Sequence, residues 1–67
     1  MDSPMDKLTP RELEILREIA TGAANREIAS RLVVTDSTVK NHVHNILAKL
    51  HLRNRREAAL YARHHKI

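Results

Sequence analysis

Four helix-start signals punctuate this chain, and they leave room for little except short helices joined by tight corners. Thr9-Pro10-Arg11-Glu12 combines a capping hydroxyl, a proline suited to the first helical position and a glutamate three residues after the cap. Asn25 stands as a cap before a second helix, Thr35 before a third, and Asn54 with Glu57 repeats the capping-box pattern before a fourth. Between these signals the apolar residues recur at helical rather than alternating spacing. Leu13, Ile15, Leu16, Ile19 and Ala20 share one face of the first helix, and Ile28, Ala29 and Leu32 one face of the second. Val39, Val43, Ile46 and Leu50 form a stripe on the third, and Ala58, Tyr61, Ala62 and His65 a face on the fourth. Gly22, the only glycine, sits where a left-handed C-terminal cap belongs. The spacing predicts helices over about 10–21, 26–32, 36–50 and 55–66, an all-α, compact four-helix domain. The few residues between the second and third helices match a helix-turn-helix corner. Residues 1–7 are polar and aperiodic and read as a linker or remnant, leaving 8–67 as the folded domain.

A chain of 67 residues holds one small domain, and with no cysteine it has neither disulfides nor sulfur-based metal sites. The longest apolar run, Ala58 to Ala62, is far short of the roughly 20 residues a bilayer span needs, and no secretory signal opens the sequence. A cytoplasmic location without membrane attachment is expected. Five histidines raise the question of a metal, but His42 and His44 lie about 200° apart on a helix and the neighbours His64 and His65 about 100° apart. No metal site, cofactor or small-molecule ligand is expected. There is also no glycine-rich phosphate loop, nucleophile elbow or paired carboxylates in an obvious pocket, so the chain does not read as an enzyme.

The charge is unevenly spread. Residues 37–67 carry seven basic side chains, one acidic one and all five histidines, whereas residues 1–36 carry five basic and seven acidic. A basic half on so small a domain points to a polyanionic partner. The third helix sharpens this. Opposite its apolar stripe lie Ser37, Lys40, Asn41, His44, Asn45 and Ala48, which are small, hydrogen-bonding or cationic, with no acid after Asp36. An ordinary solvated face mixes Glu with Lys in i,i+4 pairs. This one offers what a major groove accepts: Lys donates to guanine O6 and N7, and Asn pairs two-fold with adenine. On the fourth helix Arg56, Leu60, Arg63 and Ile67 lie opposite the core face. The two aliphatic residues stranded there hint at a self-association surface.

Several blocks together carry a family resemblance: Leu8-Thr9-Pro10-Arg11-Glu12; Ile19-Ala20-x-Gly22-x-x-Asn25-x-x-Ile28-Ala29; Thr38-Val39-Lys40-x-His42 with Lys49-Leu50; and Arg55-x-Glu57-Ala58-Ala59. Over about residues 8–66 the chain resembles the DNA-binding domain of the LuxR/FixJ family, and most of all the NarL-type response-regulator output domain. The resemblance implies that helices two and three form the helix-turn-helix, with helix three in the major groove of double-stranded DNA. It places base reading on Lys40, Asn41 and His44. Contacts to the DNA backbone fall on Thr35, Ser37, Thr38, Arg31 and Asn25, and a homodimer contact on helix four through Arg56, Ala59, Leu60, Arg63 and Ile67. It further implies a transcriptional regulator, with RNA polymerase as a possible further partner and a phosphorylatable receiver domain elsewhere in the protein. His44 stands where close relatives often carry Lys, and Asn41 where some carry an apolar residue. These departures bear on which DNA sequence is preferred. The competing expectation is a small protein-interaction module whose basic helix docks an acidic protein surface. The outer face of helix three has no aromatic anchor of the kind that protein hot spots favour.

Overall fold

The computed structural model describes residues 4–67. It comprises a 3-10 turn over Pro4–Lys7, then α1 (Pro10–Ala20), α2 (Asn25–Leu32), α3 (Asp36–Leu50) and α4 (Arg55–His64). Three of the four expected caps hold their helix starts, although at α4 the Glu57 carboxylate accepts from the Arg53 N–H at 2.7 Å and leaves the expected capping box incomplete. Thr9 Oγ1 accepts from the Glu12 N–H at 3.1 Å while Glu12 Oε1 accepts from the Thr9 N–H at 2.9 Å, a complete capping box. Thr35 Oγ1 accepts from the Thr38 N–H at 3.1 Å, and Asn54 Oδ1 from the Glu57 N–H at 2.9 Å.

The second helix departs from the expectation. Its cap is Ala24, which has no side-chain acceptor, and Asn25 is already helical. The Glu27 carboxylate reaches back to the Ala24 N–H at 3.0 Å, which satisfies the cap backbone. Asn25 is drawn away from capping by a distant partner: its Oδ1 accepts from Arg55 Nη1 at the head of α4.

All four helices end with the same pair of bonds, in which one N–H returns three residues and the next returns five. This is the Schellman pattern, and it needs a left-handed residue at the turn. Gly22 supplies it after α1 with φ +89°, but Val33, His51 and Lys66 take φ of 57°, 57° and 55° at the other three. The last of these corrects the expected end of α4. The helix stops at His64, Lys66 turns the chain back, and Ile67 packs against the core instead of extending an outer face. His65 is exposed, not part of the core, with its ring 4.2 Å from that of half-buried Tyr61.

The interior gathers one stripe from each helix. Ile15, Leu16 and Ile19 meet Ile28 and Ala29, then Val39, Ile46 and Leu50, and finally Ala58 and Ala62. Each large aliphatic side chain buried in this way contributes about 1.5–3 kcal/mol. Ala58 and Ala62 of α4 are fully buried, and their small size lets that helix lie close along α1. Leu8, just before the first cap, is 8% exposed and joins the core, and the turn before it packs against α3. The stretch expected to be a linker is thus partly structural, and residues 1–3 lie outside the described residues. α2 packs on α3 across the three-residue link Val33–Thr35, which forms the helix-turn-helix corner.

Candidate nucleic-acid interface

α3 is the longest helix, 15 residues, or about 22 Å at 1.5 Å per residue. Val39, Ile46 and Leu50 are buried and Val43 is half-buried, which fixes the roll of the helix against the rest of the molecule. That roll turns Ser37, Lys40, Asn41, His44, Asn45 and Ala48 outward, and all six are exposed. None of the six forms an ion pair or side-chain hydrogen bond among the described residues. The face therefore presents ammonium, carboxamide and imidazole groups with their hydrogen-bonding capacity unspent, beside an alanine that permits close approach. A major groove about 12 Å wide accepts such a helix.

The three residues expected to read bases lie together on this face. The residues expected to touch the DNA backbone divide into two groups. Thr35, Ser37 and Thr38 cluster at the N-terminus of α3, where the helix dipole favours an anion. The hydroxyls of Thr35 and Thr38 are 2.9 Å apart, and the first also caps the helix. Arg31 and Asn25 lie on α2 and already have partners within the protein. Arg31 pairs with Glu18 of α1, and Asn25 with Arg55.

The residues expected to form a dimer contact are also divided. Leu60 is 54% exposed and Arg56 is exposed beside it, one turn earlier. Arg63 is exposed but donates its Nε–H to the Ala20 carbonyl at 3.1 Å. Ala59 is half-buried, and Ile67 is withdrawn into the core packing described above. The outward patch of α4 thus centres on Leu60 alone.

Sequence reasoning missed the polar links between helices, of which two are part-buried. Lys49 Nζ lies 2.7 Å from Glu12 Oε1, and the Glu12 side chain is only 4% exposed. Burial by itself would push the Glu12 carboxyl up. The hydrogen bonds from Lys49 and the Thr9 N–H, with the Lys49 charge and the Thr9 hydroxyl, more than offset it and hold the carboxyl below its ordinary range. This pair ties the start of α1 to the end of α3. A signal was available, since Glu12 precedes Leu16 by four residues and so shares the apolar face of α1. The second link is Arg55, half-buried, which also donates from Nη2 to the Ala23 carbonyl. Nothing local in the sequence marks that pairing, which spans some thirty residues.

His42 is half-buried beside the core stripe of α3, and its Nδ1 is enclosed without a hydrogen-bond partner among the described residues. Among those residues no group of three or more His, Cys, Asp or Glu is placed to hold a metal ion. No helix is long and apolar enough to cross a membrane.

Residues 6–62 match the family model described as bacterial regulatory proteins, luxR family. Among characterised proteins, the chain is 53% identical over 55 residues to the transcriptional regulatory protein LnrK of Bacillus subtilis, covering 82% of this chain and 25% of that protein. It is 48% identical over 54 residues to a nitrate/nitrite response regulator protein homolog of Haemophilus influenzae, covering 81% and 26%. It is 50% identical over 62 residues to the response regulator protein VraR of Staphylococcus aureus, covering 92% and 30%. The chain spans between a quarter and a third of the length of these relatives.

Proposed function

The chain belongs to the luxR family of bacterial regulatory proteins, a DNA-binding and non-enzymatic class of transcriptional regulator, and from that premise we propose how this domain reads DNA. α3 lies in the major groove, with Lys40, Asn41 and His44 at base edges and Thr35, Ser37 and Thr38 at the flanking phosphates. Asn25, the first residue of α2, makes a further phosphate contact. The observation that carries this reading is the outer face of α3: six exposed residues, none acidic and none with a side-chain partner among the described residues.

Affinity comes mainly from cations meeting phosphates with release of counterions, and it weakens steeply with salt. Specificity comes from the three α3 side chains. Two copies associate on DNA through α4, around Leu60. The names of the relatives support the further reading that this is the output domain of a response regulator, joined in the whole protein to a receiver that governs access to α3.

The test is selection of bound duplexes from a random pool, at low and at moderate salt. Enrichment of an inverted repeat is expected, and gives half-site and spacing together. A single unrepeated motif would refute the dimer. Salt-sensitive binding with no enrichment would refute base reading and favour a basic surface that docks an acidic protein.

A further inference from the structure

We propose that Arg55 is a positioning residue for DNA binding: it fixes which way the Asn25 carboxamide faces, so that the amide NH2 is presented to a phosphate. This rests on the reading of Asn25 as a backbone contact.

The argument is one of donors and acceptors. A guanidinium has five N–H donors and no acceptor, whereas a carboxamide has one oxygen that accepts and one nitrogen that donates. The group facing Arg55 Nη1 must therefore be Asn25 Oδ1, as the structure has it. With the oxygen committed, the NH2 is directed away from Arg55, and it has no partner among the described residues. Without Arg55 the carboxamide is free to flip and present its oxygen, which a phosphate repels. Arg55 itself is held by a second bond, from Nη2 to the Ala23 carbonyl, and by its place at the first position of α4. The guanidinium thus spans the α1–α2 corner and the head of α4, and Asn25 leads α2 from that anchored point.

The experiment measures DNA affinity of Arg55→Met, Asn25→Ala and the double variant across a salt series, on the duplex recovered by selection with the parent chain. Each single variant is expected to lose about tenfold, the scale of one hydrogen bond to a charged group. The double variant is expected to lose no more than either single one, because both remove the same contact. The salt slope stays that of the parent, since neither change removes a cation from a phosphate. Ethylation of one phosphate per half-site blocks the parent, and both single variants become indifferent to it.

Asn25→Asp guards against misfolding. It keeps and strengthens the bond to Arg55, so the domain melts no lower than the parent, yet it presents an anion where the NH2 stood. Its loss of DNA affinity exceeds that of Ser30→Asp, which places the same charge elsewhere on α2. Several results overturn the proposal: a folded Arg55→Met with parental affinity, losses that add in the double variant, or a salt slope reduced by about one, which would put Arg55 itself on a phosphate. Parental affinity in Asn25→Ala would instead overturn the reading of Asn25 on which it rests, and failure of the parent to select any sequence would overturn DNA reading as a whole.

Discussion

The turn between α2 and α3 contains a β-branched residue in the left-handed region, and the energetic consequence is measurable. Val33 has φ 57° and ψ 49°, and the residue is 89% exposed. A side chain with a Cβ pays about 1–2 kcal/mol for that conformation, and a β-branched one lies at the upper end. Replacing Val33 with Gly removes the strain. Almost no burial is lost, because the roughly one-tenth of a valine side chain that is covered corresponds to about 0.2–0.3 kcal/mol. The unfolded chain gains freedom at the new glycine, which returns about 0.5–1 kcal/mol. The balance is a stabilisation of about 0.5–1 kcal/mol. For a domain of this size each kcal/mol moves the midpoint by about 4–8 °C, so a rise of about 2–8 °C is expected in thermal unfolding followed by circular dichroism. Gly22 provides the mirror experiment. It makes the same turn after α1 with φ +89°, and a Cβ built there meets nothing within 4 Å, so Gly22→Ala tests backbone strain without steric clash. It should lower the midpoint by a similar amount. If Val33→Gly melts at or below the parent temperature while Gly22→Ala melts lower, left-handed strain at Val33 is not the quantity that matters. If urea unfolding shows an altered m-value, the change lies in the denatured ensemble instead.

Other perturbations test other links. Glu12→Gln removes the charge from the pair joining α1 to α3, at a cost of about 1–3 kcal/mol at neutral pH. This is less than for a fully buried pair, because Lys49 is one-third exposed and can return to water. The Glu12 carboxyl is held below its ordinary value of 4.5 in the folded state, so its contribution is present above that pH and is lost as pH falls through the folded value. Urea midpoints between pH 7 and 3 should therefore fall more steeply for the parent than for Glu12→Gln, and parallel curves would refute the pairing. Lys40→Ala or Asn41→Ala should cost about 1–3 kcal/mol on the selected duplex and relax preference at one base position. An equal loss on every sequence would make that residue a phosphate contact. Leu60→Arg should weaken binding to two-half-site DNA more than to one half-site, and unchanged cooperativity would remove α4 from the interface.

The sequence was legible wherever local chemistry and core periodicity agreed. α3 runs from Asp36 to Leu50 as read, because the Thr35 cap, the aliphatic stripe and the polar outer face all specify the same span. It failed where a partner far along the chain decided the outcome. Asn25 is a good cap by propensity, yet Arg55 claims its acceptor and the helix begins one residue earlier. The end of α4 was read two residues too long because Lys66 gives no sign that it will turn left-handed, as a glycine there would. That one turn moves Ile67 from an expected outer face onto the core.

The same distinction applies to the charges, and it separates folding from recognition. Counting from the sequence treats the seven cations of residues 37–67 as one basic surface. The structure spends three of them inside the protein: Lys49 on Glu12, Arg55 on Asn25 and Ala23, and the Arg63 Nε–H on the Ala20 carbonyl. Each of these cations ties its own helix to another helix or to the α1–α2 corner, and so helps set where α3 and α4 lie. Lys40, Arg53, Arg56 and Lys66 are exposed, with no side-chain partner among the described residues. Of these four only Lys40 lies on the outward face of α3, flanked by amides and an imidazole. A helix face with one cation and several neutral donors and acceptors is poorly suited to holding a polyanion by charge alone, since a single neutralised phosphate adds little counterion release. It is well suited to hydrogen-bonding base edges once other contacts have docked the domain. The composition of the α3 face therefore suits the base reading proposed for it, and on that proposal the attraction for DNA has to come from cations elsewhere on the surface.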